Sequence, residues 1–458
     1  MTQVSKKQDF SVYAQRRKQL IASVVTQYSD ARGAIVLFGG FEQERTAFRQ
    51  ESSFYYYTGL NEPGLVLVLE LTGKMIVYVP NNGPIKAQWV HAAVILDVDN
   101  ATHVAVDEIR LLGKSCAGYQ FHPFFPREEY SDLLAYLDAL VRQNHTLFTL
   151  NPTEPFGYIE QRLILKHLTE FIPTIVQHLQ DISRIVAAKR RIKDIHEIDL
   201  LYKAVDVTLD AQEAAARAIA DGALECEVQA SLEYMMIGSG ACTSFPSIVA
   251  SGKNSTVLHY NANNCVMRNG DLVVVDIGAE LGMYAADITR TYPVSGTFSK
   301  RQRELYDVVL ATQQHIADIA RPGLWLSNKE HPDKSLNHLA RQFLQKQGYD
   351  KYFPHGIGHF LGLDVHDVGD STQPLQPGDI ITIEPGIYIP AEGIGIRIED
   401  DYWVVEDGVV CLSDGLSKDA RDIEQMVQQS FENSTGGCCE GESAEDECCD
   451  DDQENVQH

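Results

Sequence analysis

Short apolar runs alternate with helical patterns over the first 180 residues of the chain. Three of these runs predict strands: GAIVLFG at 33–39, GLVLVLEL at 64–71 and KMIVYVP at 74–80. Apolar runs of this length are typical of strands, and the apolar spacing of YSDLLAYLDALVRQ (130–143) predicts a helix. Strands mixed with helices indicate an α/β domain, to which we assign residues 1–180.

A second domain is predicted from 181 to 430. It opens with a basic cluster in DISRIVAAKRRIKDI (181–195), and the pattern that follows has apolar residues three and four apart, which predicts a long helix. Strands and helices then alternate, and a helix near 300–320 ends at Arg321-Pro322-Gly323, a stop signal. The predicted strands of this domain include LVVVDIG (272–278), DIITIEPGIYI (379–389) and GIGIRIEDDYWVV (393–405).

The last segment, 431–458, has a different composition. It carries ten acidic residues and no Lys or Arg, together with the pairs Cys438-Cys439 and Cys448-Cys449. Such low-complexity acidic sequence predicts a disordered tail. The paired cysteines could hold a soft metal ion, but a solvated tail without a catalytic role is favoured.

Charge and cysteine usage restrict the classes of function. The net charge of −26 argues against binding to nucleic acid or to an anionic membrane surface. No apolar signal-peptide core follows the N-terminus and no run approaches the length of a membrane span, so we expect neither a signal peptide nor a membrane helix. Five of the nine cysteines are scattered through residues 1–430, which is typical of reduced thiols and predicts a cytoplasmic protein.

The candidate chemistry begins with two aspartates. Asp276 ends the buried-looking run LVVV, and Asp287 follows eleven residues later, after a predicted turn at Gly282. A hairpin would bring the two carboxylates together, and converging carboxylates repel each other unless they share a proton or a cation. Taken alone, the pair is also compatible with one capping and one solvated residue.

Three histidines in a glycine-rich run form the second candidate motif. His355, His359 and His366 lie within twelve residues, in HGIGHFLGLDVH. A histidine offers a neutral nitrogen to a metal ion, or a proton near pH 7. A single histidine would more often be structural, whereas three in one glycine-rich run favour a site.

Two glutamates complete the set. Glu384 follows an apolar strand in ITIEPG, and Glu399 lies two residues after Arg397, so on a strand these two side chains share one face. Taken alone, the Arg397 and Glu399 face could equally be a surface salt bridge. Together with the aspartates and His359, however, the glutamates make four oxygen donors and one nitrogen donor. Two divalent cations would neutralise the four carboxylates, and this donor set suits Mn²⁺, with Co²⁺ and Zn²⁺ as alternatives.

The order and spacing of these motifs resemble the creatinase/aminopeptidase P/prolidase family of pita-bread metallopeptidases. The likeness covers about residues 10–425 and rests on VDIGAELGMYAADITRTYP, HGIGHFLGLDVHDVG, ITIEPGIYI and GIRIEDD. The resemblance implies an α/β (α+β) chain. It implies a creatinase-like N-terminal domain, which walls one side of the site and makes oligomer contacts, followed by a pita-bread catalytic domain with a curved, mainly antiparallel sheet.

The resemblance also implies roles for individual residues. Asp276 would chelate one metal ion, Glu384 and His359 the other, and Asp287 and Glu399 would bridge the two. Glu384 would in addition be the base that handles the water proton. The remaining site residues implied are His259 and His366, which would bind substrate near the scissile bond, Arg397 and Tyr388, which would hold the peptide, and His355, which would shape the proline pocket.

The implied activity is metal-dependent hydrolysis of the Xaa-Pro bond of proline-containing peptides by a homo-oligomer, a dimer or tetramer. Release of the N-terminal residue from Xaa-Pro-Yaa peptides is favoured, and a prolidase acting on Xaa-Pro dipeptides is the alternative. A non-catalytic peptide- or partner-binding relative is less favoured because all five ligand positions are filled. Methionine aminopeptidase is disfavoured by the large N-terminal domain, and creatinase by the complete metal set.

One motif departs from the family pattern. Xaa-Pro members often carry Trp-x-Gly-x-Arg in the N-terminal domain, and here the corresponding stretch is Gln88-Trp89-Val90-His91-Ala92-Ala93. The tryptophan is kept, whereas the glycine and arginine are not. This puts in doubt whether Trp89 has the role that it would have in a neighbouring subunit's site.

Overall fold

A computed structural model of the chain describes residues 9–43, 46–83, 88, 96, 98–116, 127–151, 158–370 and 372–435. The N-terminal half, residues 9–181, forms a six-stranded sheet in the order β4-β3-β2-β1-β5-β6. The β1–β2 and β2–β3 pairs are antiparallel, whereas β1–β5, β3–β4 and β5–β6 are parallel. The strands are β1 (Gly33–Phe38), β2 (Val66–Glu70), β3 (Met75–Val79), β4 (Glu108–Leu111), β5 (Thr146–Thr149) and β6 (Leu179–Asp181).

Both faces of this sheet are covered, because alternate strand residues point to opposite sides. Ala34, Val36 and Phe38 pack with two helices on one face, whereas Ile35 and Leu37 pack with the other two on the opposite face. The helices are α1 (Ser11–Gln27), α2 (Ser52–Thr58), α3 (Ser131–Arg142) and α4 (Ile159–Phe171). Of these, α3 and α4 share the core of Ala34, while α1 and α2 share the core of Ile35.

The core beneath α1 and α2 continues into the C-terminal half, residues 183–435. Leu201, Tyr284, Leu361 and Leu363 belong to the same cluster of buried apolar side chains as Ile35. The two halves are therefore joined through packed apolar side chains, and the loop that carries Leu361 and Leu363 is part of the contact.

The C-terminal half contains antiparallel strands surrounded by long helices. Each described strand pair in it is antiparallel, in the orders β12-β9-β8, β13-β16-β17, β11-β10-β7 and β14-β15. The strands are β7 (Cys242–Thr243), β8 (Ile248–Ser251), β9 (Leu272–Ile277), β10 (Ala279–Leu281), β11 (Tyr284–Ala285), β12 (Ile288–Pro293), β13 (Ile380–Ile383), β14 (Gly386–Ile389), β15 (Ile394–Arg397), β16 (Asp400–Val405) and β17 (Gly408–Cys411). The helices are α5 (Ser183–Arg191), α6 (Ile195–Ala218), α7 (Glu225–Gly238), α8 (Lys300–Ile319), α9 (Leu336–Lys346) and α10 (Ala420–Thr435).

The expected α/β class with a mainly antiparallel C-terminal sheet is confirmed. Two predicted strands, 379–389 and 393–405, are each interrupted, so the prediction of continuous strands was wrong there. The interruptions fall at Glu384-Pro385 and at Ile398-Glu399, and the two glutamates at these breaks line one shared cavity.

Only the first five residues of the predicted tail are described. Helix α10 continues to Thr435, so residues 431–435 are helical rather than structureless. The rest of the acidic segment, with both cysteine pairs, lies outside the described residues. Within the described ranges, no helix is both long and apolar enough to cross a membrane.

Candidate metal centre

A double hairpin brings the two candidate aspartates together. Strands β9 and β12 pair antiparallel with Asp276 opposite Thr289, and Asp287 lies one residue before β12. The inner turn passes through Gly282 at φ +59°, a conformation that glycine adopts without strain. Gly278 is needed as well, because a Cβ there would lie 1.8 Å from the carbonyl oxygen of Ala286.

Glu399 reaches the same place through a bridge between sheets. Its backbone N–H donates to the carbonyl oxygen of Thr289 over 3.1 Å, as part of an isolated antiparallel bridge. The Thr289 hydroxyl donates to Glu399 Oε2 over 2.6 Å. Thr289 therefore fixes both the backbone and the carboxylate of Glu399.

His359 and Glu384 are positioned by strand β13. The Thr382 N–H donates to the His359 carbonyl over 2.9 Å, and the Glu384 N–H donates to the Ile357 carbonyl over 2.8 Å. A Cβ at Gly358 would lie 2.0 Å from the Thr382 carbonyl oxygen, so only glycine permits this approach. His359 Nδ1 lies 3.1 Å from the Phe360 carbonyl oxygen, which leaves Nε2 directed at the carboxylates.

These five side chains bring their donor atoms into one small volume. His359 Nε2 is 3.2 Å from Asp287 Oδ2 and 3.7 Å from Glu384 Oε1. One ligand atom each from Asp287, His359 and Glu399 lies within 4.8 Å of the others, which is the spacing that a metal ion requires. Asp276 faces the same cavity.

The acidic groups in this volume disturb one another's ionisation. Burial, followed by the Asp276, Asp401 and Glu384 carboxylates, raises the pKa of Asp287 well above its usual range. Burial and Asp287 do the same to the pKa of Glu399, and burial raises the pKa of Glu384 to about 7. Carboxylates crowded in this way need cations to remain ionised.

The residues present fit divalent metal ions. Asp276 Oδ1 is buried and has no hydrogen-bond partner in the described part of the chain, which is costly for an ionised oxygen unless a cation reaches it. Four carboxylates with one imidazole form a hard, oxygen-rich donor set of the kind that first-row divalent ions occupy. Both observations indicate that these residues could hold divalent cations.

Arg397 and Tyr388 form a second layer beside the acidic cluster. The Arg397 Nη2 donates to Asp276 Oδ2 over 2.5 Å, and Nη1 donates to the Tyr388 hydroxyl over 2.8 Å. The Tyr388 hydroxyl lies 3.0 Å from His355 Nε2. Burial, with Arg397 nearby, lowers the pKa of His355 to about 3, so this imidazole is neutral at pH 7.

The centre opens into a cavity of about 580 Å³. His259 and His366 line it, and the His366 ring packs against that of His359 with centroids 4.2 Å apart and the planes at 76°. Burial, then His359, lowers the pKa of His366. The structure thus brings together nine of the ten predicted site residues around one cavity, with Tyr388 behind Arg397 and His355.

Two functional side chains escaped the sequence analysis. Thr289 lies two residues after Asp287, and this spacing could have indicated that its side chain faces the same side as the Asp287 carboxylate. Asp401 follows Glu399 in an acidic run, and its Oδ2 accepts from the Asp287 N–H over 3.1 Å. The apolar walls of the cavity carried no signal in the sequence; they include Phe245, Ile248, Leu258 and Val365.

Comparison with protein families gives two matches. The model described as metallopeptidase family M24 matches residues 199–406, and that of the aminopeptidase P N-terminal domain matches residues 13–110. The division of the chain at residue 180 falls between these matches and stays a prediction.

Similar proteins span nearly the whole chain. A Xaa-Pro aminopeptidase of Haemophilus influenzae is 30% identical over 453 residues, covering 91% of this chain and 96% of that protein. The structure of proline aminopeptidase P II from Yersinia pestis aligns with a TM-score of 0.76 at 28% identity, covering 92% of this chain and 100% of the other. A Xaa-Pro dipeptidase of Pyrococcus furiosus is 39% identical over 243 residues, which covers 52% of this chain and 67% of that protein.

Proposed function

This chain belongs to metallopeptidase family M24, among its Xaa-Pro aminopeptidases, and on that premise we propose how its residues act. It is a hydrolase that cleaves the Xaa-Pro bond, and we propose that it releases the N-terminal residue from Xaa-Pro-Yaa peptides. The observation that carries the proposal is the convergence of a complete acidic donor set and several histidines on one cavity of about 580 Å³.

Two divalent ions are assigned to the five donors. Asp276 would chelate one ion, His359 and Glu384 the other, and Asp287 and Glu399 would bridge them. We propose Mn²⁺, with Co²⁺ or Zn²⁺ as alternatives, because the set is rich in carboxylate oxygen. When bound, such a pair supplies an activated water molecule and polarises the scissile carbonyl group.

The chain's own residues then handle the protons. The Xaa-Pro bond is a tertiary amide, and its proline nitrogen must be protonated before it can leave. Glu384 lies at the centre and lines the cavity, so we assign it the transfer of a proton from water to that nitrogen. His366 and His259, which also line the cavity, would donate hydrogen bonds to the substrate near the scissile bond.

The layer of Arg397, Tyr388 and His355 would hold the peptide. Its three side chains are linked by hydrogen bonds of 2.8 and 3.0 Å, so their relative positions are fixed. A neutral His355 beside the Phe353 ring, at 4.8 Å between centroids, offers the apolar surface that a proline ring requires. We therefore assign His355 to the proline pocket and Arg397 with Tyr388 to the peptide.

Prolidase activity is the alternative, but it is less favoured because the dipeptidase relative aligns with a smaller part of this chain than the aminopeptidase relative does. The aminopeptidase relative aligns over 91% of this chain, including the N-terminal half, whereas the dipeptidase aligns over 52%. A non-catalytic role is disfavoured because every expected ligand position is filled and faces the cavity.

We further propose a cytoplasmic homo-oligomer, a dimer or tetramer. The five cysteines in the described ranges are all free thiols, as a reducing compartment favours. Trp89, whose role in a neighbouring subunit's site is in doubt, lies outside the described residues, so the oligomeric part of this proposal rests on the family alone.

Hydrolysis of matched peptides tests the proposal. With Mn²⁺ present, we expect release of Xaa from Xaa-Pro-Yaa, little cleavage of Xaa-Ala-Yaa, and loss of activity on chelation. Cleavage of the Xaa-Pro dipeptide alone would instead establish a prolidase. No cleavage of any peptide, with two metal ions shown to be bound, would overturn the catalytic assignment.

A further inference from the structure

The basic cluster near the start of the C-terminal half, defined as Arg190, Arg191 and Lys193, does not face solvent. All three side chains are buried, with Arg190 only 2% exposed, and each pairs with a carboxylate of the C-terminal half. Arg191 pairs with Asp379, whereas Arg190 and Lys193 both pair with Asp367. The cluster is therefore an internal clamp.

The clamp holds a loop of eight residues, 360–367. The Asp367 N–H closes this loop by donating to the Phe360 carbonyl over 2.9 Å. The Asp367 carboxylate then accepts from Arg190 over 2.5 Å and from Lys193 over 3.0 Å. Arg190 also donates to Asp364 over 2.7 Å, so a single guanidinium fixes two points of the loop.

The N-terminal half also binds this loop through hydrogen bonds. Arg49 donates to the Leu363 carbonyl oxygen, and the Ser52 hydroxyl donates to Asp364 over 2.6 Å. Arg190 joins this contact by donating to the Ser53 hydroxyl over 2.8 Å. The loop is thus held between the start of helix α2 and the C-terminal end of helix α5, with Lys193 just beyond it.

The clamp packs so tightly against Gly362 that no side chain larger than hydrogen fits there. A Cβ at Gly362 would lie 2.2 Å from Asp367 Oδ2 and 2.7 Å from the Lys193 Cε. Buried, hydrogen-bonded ion pairs contribute little net stability but can specify one arrangement over others. The Asp367 ion pairs in this tight space therefore favour one geometry of the loop.

The residue that this geometry controls is His366, which directly precedes Asp367. Its ring faces the cavity and packs at 4.2 Å on His359, whereas the Asp367 side chain points the other way into the clamp. Backbone displacement at Asp367 would be transmitted to His366 across one peptide bond. No atom of the clamp lines the cavity among the described residues, so the clamp acts only through the loop.

We propose that Asp367 with Arg190 is a positioning pair, which sets the His366 imidazole at the distance from the metal centre that turnover requires. The N-terminal half contributes through Arg49 and Ser53, so the two halves share in shaping the active site within one chain. This inference rests on the proposed role of His366 in binding substrate.

A double-mutant cycle between Asp367→Asn and His366→Ala tests the pair. Asn keeps the shape of the side chain and removes its charge. In the wild-type background we expect kcat for a Xaa-Pro-Yaa peptide to fall about tenfold, because small misplacements of catalytic groups are costly. In the His366→Ala background the same substitution should change kcat by less than about twofold, since residues acting as a unit are non-additive.

Equal losses in both backgrounds would overturn the positioning role. So would a parallel fall in Mn²⁺ affinity measured by calorimetry, because the loop would then act through His359. If the Asp367→Asn variant does not fold, Arg49→Gln takes its place in the cycle, because it removes the hydrogen bond from Arg49 to the Leu363 carbonyl of the loop and leaves the clamp intact. There we expect about a threefold loss that disappears in the His366→Ala background.

Glu197→Gln is the matched control. Glu197 is another buried carboxylate between the halves, bound by Arg16 at 3.2 Å and by the Tyr284 hydroxyl at 2.9 Å. The Glu197→Gln substitution should lower the melting temperature, while kcat stays within about twofold of the wild-type value. Turnover by the wild-type protein is measured first: its absence would refute the proposed function, whereas an active wild type with an additive cycle would refute only this inference.

Discussion

The Arg397 guanidinium donates to Asp276 Oδ2 over 2.5 Å, while the other oxygen of the same carboxylate is buried without a partner among the described residues. One oxygen is therefore paired with a cationic side chain of the chain itself, and the other fits a divalent cation as its partner. Arg397 also donates to Thr289 over 3.1 Å and to Tyr388 over 2.8 Å. A single side chain thus links the acidic cluster to the layer that we assign to the peptide.

Arg397→Met should lower both kcat and stability, and its effect on stability should depend on whether Mn²⁺ is bound. Removal of a buried cation leaves Asp276 uncompensated, which we expect to cost about 3–5 kcal/mol of stability in the metal-free protein. Bound divalent ions offset this charge, so the loss of melting temperature should be smaller with Mn²⁺ than without it. We expect kcat to fall by about a hundredfold. An equal loss of stability with and without Mn²⁺ would contradict this account.

Chelation should lower both activity and stability. Without cations the clustered carboxylates repel one another, and Mn²⁺ at one hundred times its dissociation constant should stabilise the fold by about 2.7 kcal/mol. Thermal unfolding with and without chelator measures this, and added Mn²⁺ should restore both the melting temperature and turnover. A chelator already saturated with Mn²⁺ is the control, and it should change neither.

Asp287→Ala and Glu399→Ala should each abolish turnover with the fold intact. Both variants remove one of the mutually repelling carboxylates, which offsets the hydrogen bonds that are lost with it, so the melting temperature of the metal-free protein should change little. The stabilisation by Mn²⁺ should disappear. Unchanged activity in either variant would refute the two-metal assignment. Asp271→Asn is the control. Asp271 directly precedes strand β9 and does not line the cavity, so loss of its charge should keep turnover within about twofold.

Thr289→Val should impair catalysis more than its size suggests. The hydroxyl donates to Glu399 over 2.6 Å and accepts from Arg397 over 3.1 Å, and valine can do neither. We expect a loss of about tenfold in kcat/KM together with about 1–3 kcal/mol of stability. Thr291→Val is the control on the same strand face: its hydroxyl bonds only the Arg397 backbone, at 2.9 and 3.1 Å. It should lose stability without the loss of kcat/KM.

Much of this protein was determined by local sequence. The apolar runs at 33–39 and 272–278 became strands because their length and pattern admit little else, and the long pattern after 195 became helix α6. The five metal-ligand candidates and the histidine-rich run could be named from residue types and spacing taken together, whereas His259 and Tyr388 were named through the family resemblance alone. Nine of the ten site residues line one cavity and Tyr388 adjoins it, although their roles remain proposals.

Tertiary structure decided the remainder. The Pro385-Gly386 turn signal is compatible with a break in strand 379–389, but the partner of the Glu384 N–H, the Ile357 carbonyl across the site, is decided by the tertiary structure. Nor does the local pattern show that Arg190 is buried, because partners far away in the sequence make that burial tolerable, among them Asp367, 177 residues along the chain. Local sequence fixes which residues can serve, whereas long-range hydrogen bonds and ion pairs fix where they meet.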